Sequence, residues 1–283
     1  MGTSSNTLLI IGLVWPEPNT TAAGKRMMQL IDFFLSQDYS ITFCSTASKS
    51  EYSFDLSVLG IKTENIILND SSFDELVKNL HPKIVLFDRF LTEEQFGWRV
   101  AEFAPNATRI LDTEDLHSLR QVREKLFRAK TEFTTSSWLQ SDNTKRELAS
   151  IYRCDLSLLI STYEMRLLLE TVKIDKSQLL HLPFQVNKIN SGQVGKWPDF
   201  SERKDFIFIG NGKHTPNIDA IVWLKQAIWP MIRQSLPNAD LHVYGSYFPE
   251  HILQMHSPTT GFYVEGWVEN LSVVMGQHRI NLA

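Results

Sequence analysis

The sequence is nearly free of cysteine. Cys44 and Cys154, 110 positions apart and each in an apolar stretch, frame neither a disulfide network nor a metal site, and they suit a reducing cytoplasm. It has no basic tail, and a net charge of −4 sets up no general attraction for nucleic acid. Apolar runs of membrane length are missing too: the longest, Leu8 to Trp15, is interrupted by Gly12. That run lacks the basic lead of a signal peptide, and Pro16, Glu17 and Pro18 stand where a small-residue cleavage site belongs. Met1-Gly2 opens like a myristoylation signal, but Asn6 occupies the position that needs Ser or Thr. A dinucleotide fingerprint is also absent. The loop after the first strand holds a single glycine, Gly24, and the second strand runs into Ser45, Thr46 and Ala47 instead of an acid for a ribose. This argues against a nicotinamide or flavin enzyme.

What the sequence does have is alternation. With 283 residues, 43% hydrophobic and 21% charged, it carries enough apolar material for one large or two ordinary domains. Short apolar runs predict strands at Leu8–Val14, Ile41–Cys44, Ile66–Leu68, Lys83–Phe87, Arg109–Leu111, Leu156–Ile160 and Gln178–Leu182. Helical spacing lies between them, as in Met27, Leu30, Ile31, Phe34 and Leu35 after the first strand. Ser72-x-x-Glu75, Thr92-x-x-Gln95 and Ser161-x-x-Glu164 read as helix starts. Seven strands alternating with helices make a doubly wound α/β domain over 1–187. Residues 188–204 are polar and aperiodic, a linker. A second series of the same kind runs from 205 to 283, with strands expected at Phe206–Ile209, Leu241–Tyr244, Phe262–Val264 and Arg279–Ala283.

Two stretches concentrate chemistry. Leu111 to Arg120, LDTEDLHSLR, closes a strand with Asp112, Glu114, Asp115 and His117 within six positions. Such groups at the carboxyl ends of parallel strands face the crevice where α/β folds bind ligands. Asp112 and Asp115 suit orienting hydroxyls or acting as a base, His117 suits bonding a sugar or phosphate oxygen, and a solvated helix cap is the plain alternative. No second cluster of hard ligands accompanies them, so no metal is expected. The helix that follows carries Arg120, Arg123, Lys125, Arg128 and Lys130; this reads as a solvated face, with a membrane-surface or phosphate-acceptor face as the alternative.

The other stretch is Asp205 to Asn217, DFIFIGNGKHTPN. An apolar strand runs into Gly210 and Gly212, which bracket a turn where a backbone can come close to a ligand. Thr215 suits the N-cap and Pro216 the first helical position. Bare N–H groups and the positive end of a helix there would stabilise an anion, most simply a phosphate.

Two Rossmann-like halves joined by a linker, with a phosphate-binding turn opening the second, resemble the GT-B glycosyltransferases, in particular the group 1 (family four) retaining enzymes. FIGNGKHTPNIDAIVWLKQAIWP, LHVYG and GFYVEGWVENL carry the likeness in the second half, CDLSLLISTYEMRLL and LLHLPFQV in the first. The resemblance implies an α/β fold of two Rossmann-like domains, an acceptor-side domain at 1–187 and a nucleotide-sugar donor domain at 205–283. It implies transfer of a sugar from a nucleotide-diphosphate sugar to a glycan or lipid-linked acceptor, in cell-surface glycan synthesis, with no cofactor or essential metal. Carried over by position, Gly210, Asn211, Gly212, His214 and Asn217 would meet the diphosphate, and Gly24 would face the donor. Gly266, Trp267 and Val268 would lie by the base, and Asp115 and His117 on the acceptor or sugar side as catalytic residues. The implied location is cytoplasmic, with peripheral contact at the inner membrane face left open. Nucleotide-sugar epimerases share the fold, and a non-catalytic nucleotide-binding protein is a third reading.

This sequence departs from the family pattern in two ways. Asn211 and Thr215 stand where many members have Arg and Lys, with Lys213 a nearby substitute. The family's Glu-x7-Glu pair and the glycine-rich segment before it belong after position 283, so the second domain is expected to be incomplete.

Overall fold

A computed structural model describes residues 6–186, 192 and 197–282. The chain divides into two units, Met1–Pro18 with Ala22–Gln185, and Asn19–Thr21 with Val186–Ala283. Of the linker expected over 188–204, residues 188–191 and 193–196 lie outside the described residues, and Lys204 already belongs to the first strand of the second unit. Among those residues, no helix is long and apolar enough to cross a membrane.

The first unit is built on seven parallel strands: β1 (Thr7–Gly12), β2 (Ser40–Ser45), β3 (Lys62–Asn65), β4 (Ile84–Asp88), β5 (Thr108–Asp112), β6 (Leu156–Leu159) and β7 (Leu179–His181). Their order, β3-β2-β1-β4-β5-β6-β7, reverses direction between β1 and β4. Helices α1 (Ala22–Ser36), α2 (Ser72–Leu80), α3 (Arg89–Phe103), α4 (His117–Arg128), α5 (Thr135–Gln140), α6 (Asp142–Arg153) and α7 (Thr162–Leu167) intervene. Alternate strand residues feed two cores. Leu9, Ile11, Val85, Phe87 and Leu111 pack with α2 to α7, while Leu8, Ile10, Phe43 and Leu86 pack with α1. Each central strand is thus apolar on both faces, which is why continuous runs located it.

Where the observed elements differ from expectation, the cause is physical. The third strand is Lys62–Asn65, not Ile66–Leu68. It is an edge strand bonded only to β2, so charge suits it better than apolar side chains. Ser72 is not a cap; it is already helical, and its N–H is bonded by the Asp70 carboxylate at 2.9 Å. Thr92 lies one turn inside α3, its hydroxyl donating back to the Asp88 carbonyl at 3.1 Å. Ser161 does cap its helix, accepting from the Glu164 N–H at 3.3 Å. Helix α4 ends at Arg128, so Lys130 lies beyond the helix and not on its face.

The second unit carries a parallel sheet of β8 (Lys204–Ile209), β9 (Leu241–Tyr244), β10 (Phe262–Gly266) and β11 (His278–Leu282), in the order β10-β9-β8-β11. Its core gathers Phe206, Phe208, Leu241, Val243 and Phe262 against Ile221, Leu224 and Trp229 of the helical stretch after β8. That stretch runs Thr215–Trp223, loosens to a π turn at Leu224–Ile228, and resumes at Trp229–Ser235. Pro230 explains the π turn: it has no N–H to give, and its ring crowds the carbonyl of the preceding turn. The two units are Rossmann-like domains of the GT-B class.

Candidate functional site

In the first unit the reactive groups collect at the carboxyl ends of β1, β4 and β5, where the strand order reverses. Asp88 ends β4, and its Oδ2 accepts the Leu13 N–H at 3.0 Å, tying the end of β4 to that of β1. Arg89 follows with φ +71° and reaches Glu114, itself at φ +57°, with Nε to Oε2 at 2.8 Å. Both residues sit in a conformation that costs about 1–2 kcal/mol without glycine, so the local sequence alone would not have chosen it. Burial pushes the Glu114 carboxyl up to about 7, against the pull of Arg89.

Asp112, expected to face substrate, does not. It is 1% exposed and is gripped by Arg26 of α1, itself 2% exposed, through Nε at 2.9 and 3.0 Å and Nη2 at 2.9 Å. Arg26 Nη1 also donates to the Leu182 carbonyl at 2.7 Å. Burial pushes the Asp112 carboxyl up while Arg26 holds it down. The pair is internal scaffolding.

Asp115 and His117 do come together. His117 Nε2 lies 3.2 Å from Asp115 Oδ1, and Arg120 Nε donates to the other carboxylate oxygen at 2.6 Å. Burial pushes His117 down to about 4, with Arg89 and Arg120 adding to the effect and Asp115 opposing it. The imidazole is therefore neutral near pH 7. A carboxylate only accepts, so Nε2 carries the hydrogen and Nδ1 is left as an acceptor.

The start of α4 beneath this pair is closed to anions. Glu147 of α6 accepts the His117 N–H at 2.9 Å, the Ser118 N–H at 3.0 Å and the Ser118 hydroxyl at 2.6 Å. Glu164 accepts the Leu116 N–H at 3.1 Å. Trp138 Nε1 completes the set by donating to Ser118 Oγ at 2.9 Å. These carboxylates sit where the helix dipole favours negative charge.

Gly24 lies buried in the first turn of α1. A Cβ on it would come within 2.5 Å of the Glu17 backbone, so this glycine lets the preceding loop fold back onto the helix. The close approach is to the Glu17 backbone.

In the second unit the turn after β8 leaves the sheet where its order reverses, between β8 and β11. Gly210, Asn211, Gly212, His214 and Asn217 are gathered there, but the amides of Gly210, Gly212, His214 and Asn217 are already bonded within the protein. Gly210 N donates to the Tyr244 carbonyl and Gly212 N to that of Ser246, at 2.9 and 2.8 Å. Asn211 takes the place expected of the anion. Its Oδ1 accepts from Lys213 N at 2.8 Å, and its carbonyl accepts from His214 N at 3.1 Å and Asn217 Nδ2 at 3.0 Å. Asn211 Nδ2 donates to Ser246 Oγ at 3.2 Å and to the Thr20 carbonyl of the same unit at 2.9 Å. His214, not Thr215, holds the N-cap position. The groups left outward are side chains: Lys213, with Nζ 3.5 Å from the Tyr247 ring centre, and the exposed His214 and Thr215.

A Cβ on Gly212 would stand 2.2 Å from the Tyr247 carbonyl oxygen, and one on Gly245 would stand 1.8 Å from that of Gly210. These glycines let two loops of this unit press backbone to backbone. Gly212→Ala should therefore lower stability by about 1–3 kcal/mol, read as a drop in thermal midpoint. An unchanged midpoint would mean the loops part freely. Gly266 ends β10 at φ +80°, its carbonyl accepting from Gly245 N at 2.8 Å; Trp267 beyond it is exposed and Val268 half-buried. Elsewhere in this unit Asp205, Asp240 and His242 bring one potential metal-ligand atom each within 4.8 Å. Two of the three already make bonds within the protein: Asp205 Oδ1 accepts Asp240 N at 3.0 Å, and His242 Nδ1 pairs with Glu265 at 2.8 Å.

Sequence reasoning missed Arg26, Asp88, Arg89, Glu147 and Glu164. A signal existed for two of them. Arg26 shares the apolar face of α1 with Leu30, and Glu147 shares that of α6 with Ile151, where an unpaired charge would not be tolerated.

No protein-family model matches the sequence, and neither does any curated protein. Solved structures do match in fold. A sucrose-phosphate synthase from Thermosynechococcus elongatus superposes with a TM-score of 0.65 at 14% identity, over 98% of this chain and 74% of that one. The apo form of the lipopolysaccharide outer core galactosyltransferase WaaB gives 0.56 at 13% identity, over 96% and 71%. A putative UDP-N-acetylglucosamine 2-epimerase from Listeria monocytogenes gives 0.56 at 10% identity, also over 96% and 71%.

Proposed function

We propose that this protein moves a sugar from a nucleotide-diphosphate sugar to an acceptor hydroxyl on a glycan or lipid-linked glycan, in cell-surface glycan synthesis in the cytoplasm. The observation that carries the reading is the neutral His117 braced by Asp115 at the end of β5, in a fold whose solved neighbours include glycosyltransferases. In the reaction the bond from the anomeric carbon to the diphosphate oxygen breaks, a bond to the acceptor oxygen forms, and the acceptor hydroxyl passes its proton to the departing diphosphate. Nδ1 of a neutral imidazole can accept a hydrogen bond from a sugar hydroxyl, and Asp115 steadies the ring and offsets positive charge developing on the sugar.

Diphosphate contact in this reading falls to the side chains of Lys213 and His214, because Asn211 accepts from the Lys213 and His214 amides and the Gly210 and Gly212 amides are bonded to Tyr244 and Ser246. Gly210, Gly212 and Asn217 shape that turn, and Gly266, Trp267 and Val268 border the nucleobase. The nucleotide sugar is a co-substrate, with retention at the anomeric carbon, and no metal or cofactor is assigned. Epimerisation of a nucleotide sugar is the second reading, favoured by the 2-epimerase neighbour, since the same sugar–diphosphate bond breaks.

The test begins with a thermal-shift screen of nucleoside diphosphates; one at 100 times its Kd should add about 2.7 kcal/mol. Incubation of the corresponding sugar donors with acceptors then separates the readings: transfer yields a glycoside, epimerisation an isomeric donor. His117→Ala and Asp115→Ala should each lower turnover tenfold or more with nucleotide affinity unchanged. The acid limb of the turnover profile should report His117 near pH 4. Absence of any stabilising nucleotide would sink both readings.

A further inference from the structure

Arg89 has donors that the proposed reaction leaves unused. It directly follows the last residue of β4 at φ +71°, where a residue other than glycine is held only by its surroundings. Its side chain is 15% exposed, and its charge acts on both Asp115 and His117, so it belongs to their site. Only Nε is engaged, donating to Glu114 Oε2 at 2.8 Å, with Asp88 Oδ1 farther off at 3.6 Å. Nη1 and Nη2 have no hydrogen-bond partner among the described residues. Arg26, buried as scaffolding, differs in this respect: Nε and Nη2 meet Asp112, and Nη1 meets the Leu182 carbonyl. Arg89 also opens α3, whose N-cap residue Asp88 makes no capping bond; its Oδ2 accepts the Leu13 N–H instead.

We infer that the acceptor carries an acidic group, a carboxylate or a phosphate monoester, which Arg89 receives through Nη1 and Nη2. The inference rests on the sugar-transfer reading above and names the class of acceptor. A planar guanidinium matches two oxygens of one oxyanion, a pairing that a neutral sugar does not offer. The positive end of the α3 dipole lies beside it and favours the same charge. Local charges decide how the anion is admitted. Asp88, Glu114 and Asp115 face Arg89, and Asp88 and Asp112 also face Glu114. Arg26 answers Asp112, and Arg120 answers Asp115. Asp88 balances Arg89, so an ionised Glu114 is the surplus charge. Burial holds that carboxyl at about 7, so it takes up a proton as the anion arrives, and Arg89 exchanges one negative partner for another. Binding then consumes one proton, and affinity falls as pH rises above 7.

The test measures binding to the whole chain by calorimetry without nucleotide, so it does not depend on transfer being seen. The probes are glucuronate, glucose 6-phosphate and glucose. At pH 6.5 at least one acidic sugar should bind about tenfold or more tightly than glucose, and which one does so identifies the acidic group. Arg89→Met should remove this preference, and Glu114 can protonate to relieve the loss of its partner. Arg89→Lys keeps the charge without the fork, and should lose most of the preference even if the Met variant fails to fold. Lys62→Met, an equal charge change on the edge strand β3, should bind as the parent does. Glucuronate stays ionised from pH 6.5 to 8.5, and its affinity for the parent should fall about tenfold per pH unit above 7. Glu114→Gln should keep the preference and flatten that slope, which a merely structural Glu114 would not do. Failure of both acids to bind better than glucose, a preference that survives in Arg89→Lys, or an unchanged slope in Glu114→Gln would each overturn the inference. A nucleoside diphosphate that stabilises the protein, with no preference for an acidic sugar, would overturn this inference alone and leave sugar transfer standing.

Discussion

Asp112→Ala should destabilise the first unit by about 3–5 kcal/mol, because it strands the buried Arg26 guanidinium without its counter-charge. The one remaining bond of Arg26, to the Leu182 carbonyl, does not neutralise the guanidinium charge. The companion variant decides the interpretation. Asp112→Leu combined with Arg26→Met removes both charges and keeps apolar volume between α1 and the sheet, so most of the loss should be recovered. Urea unfolding midpoints of the three proteins, at matched slope, give the comparison. If the single variant unfolds like the parent, Asp112 is not the partner that makes the buried Arg26 tolerable. It would then be free for the substrate-facing role that its place at the end of a strand first suggested.

Glu147→Ala is expected to cost about 3 kcal/mol or more, since it leaves the His117 and Ser118 N–H groups and the Ser118 hydroxyl without their acceptor in a dry site. The effect should reach the candidate site, because these donors open the helix that presents His117. A pH signature separates Glu147 from a simple packing residue. Burial raises its carboxyl to about 7, against the pull of the Ser118 and His117 donors. A carboxyl held above its unfolded value near 4.5 favours its protonated form in the folded protein. Its contribution is therefore full below about pH 4.5 and is lost as pH rises through about 7. Glu114, raised to about 7, and Glu164, raised to about 6, act with the same sign. His117 acts in the opposite sense: its depressed value near 4 costs stability as pH falls from 6.5 toward 4. Glu147→Gln keeps the side-chain shape but cannot titrate, so the stability difference from the parent should change between pH 4.5 and 7 and be flat outside that window. A difference that is flat throughout would mean that Glu147 titrates as it does in the unfolded chain.

The sequence by itself determined the architecture, for a local reason. A strand buried on both faces of a parallel sheet must be apolar at every position, and the helix after it must be apolar on one stripe, so Leu8–Ile11, Val85–Phe87 and Phe206–Ile209 could be read in place. The reading failed at β3, where an edge strand faces water and the pattern disappears. His117 and Asp115 were also legible, being two positions apart at the end of such a strand. Tertiary structure alone decided the rest, because it depends on which distant segments become neighbours. Arg26 meets Asp112 across 86 positions, and Glu147 reaches Ser118 across 29, only because strand order and helix packing bring them together. The glycines show the same division. Gly24, Gly210 and Gly212 announce in sequence that something comes too close for a Cβ. That it is the protein's own backbone at Gly24 and Gly212, and the side chains of Asn217 and Phe208 at Gly210, is a fact of packing, which no local pattern encodes.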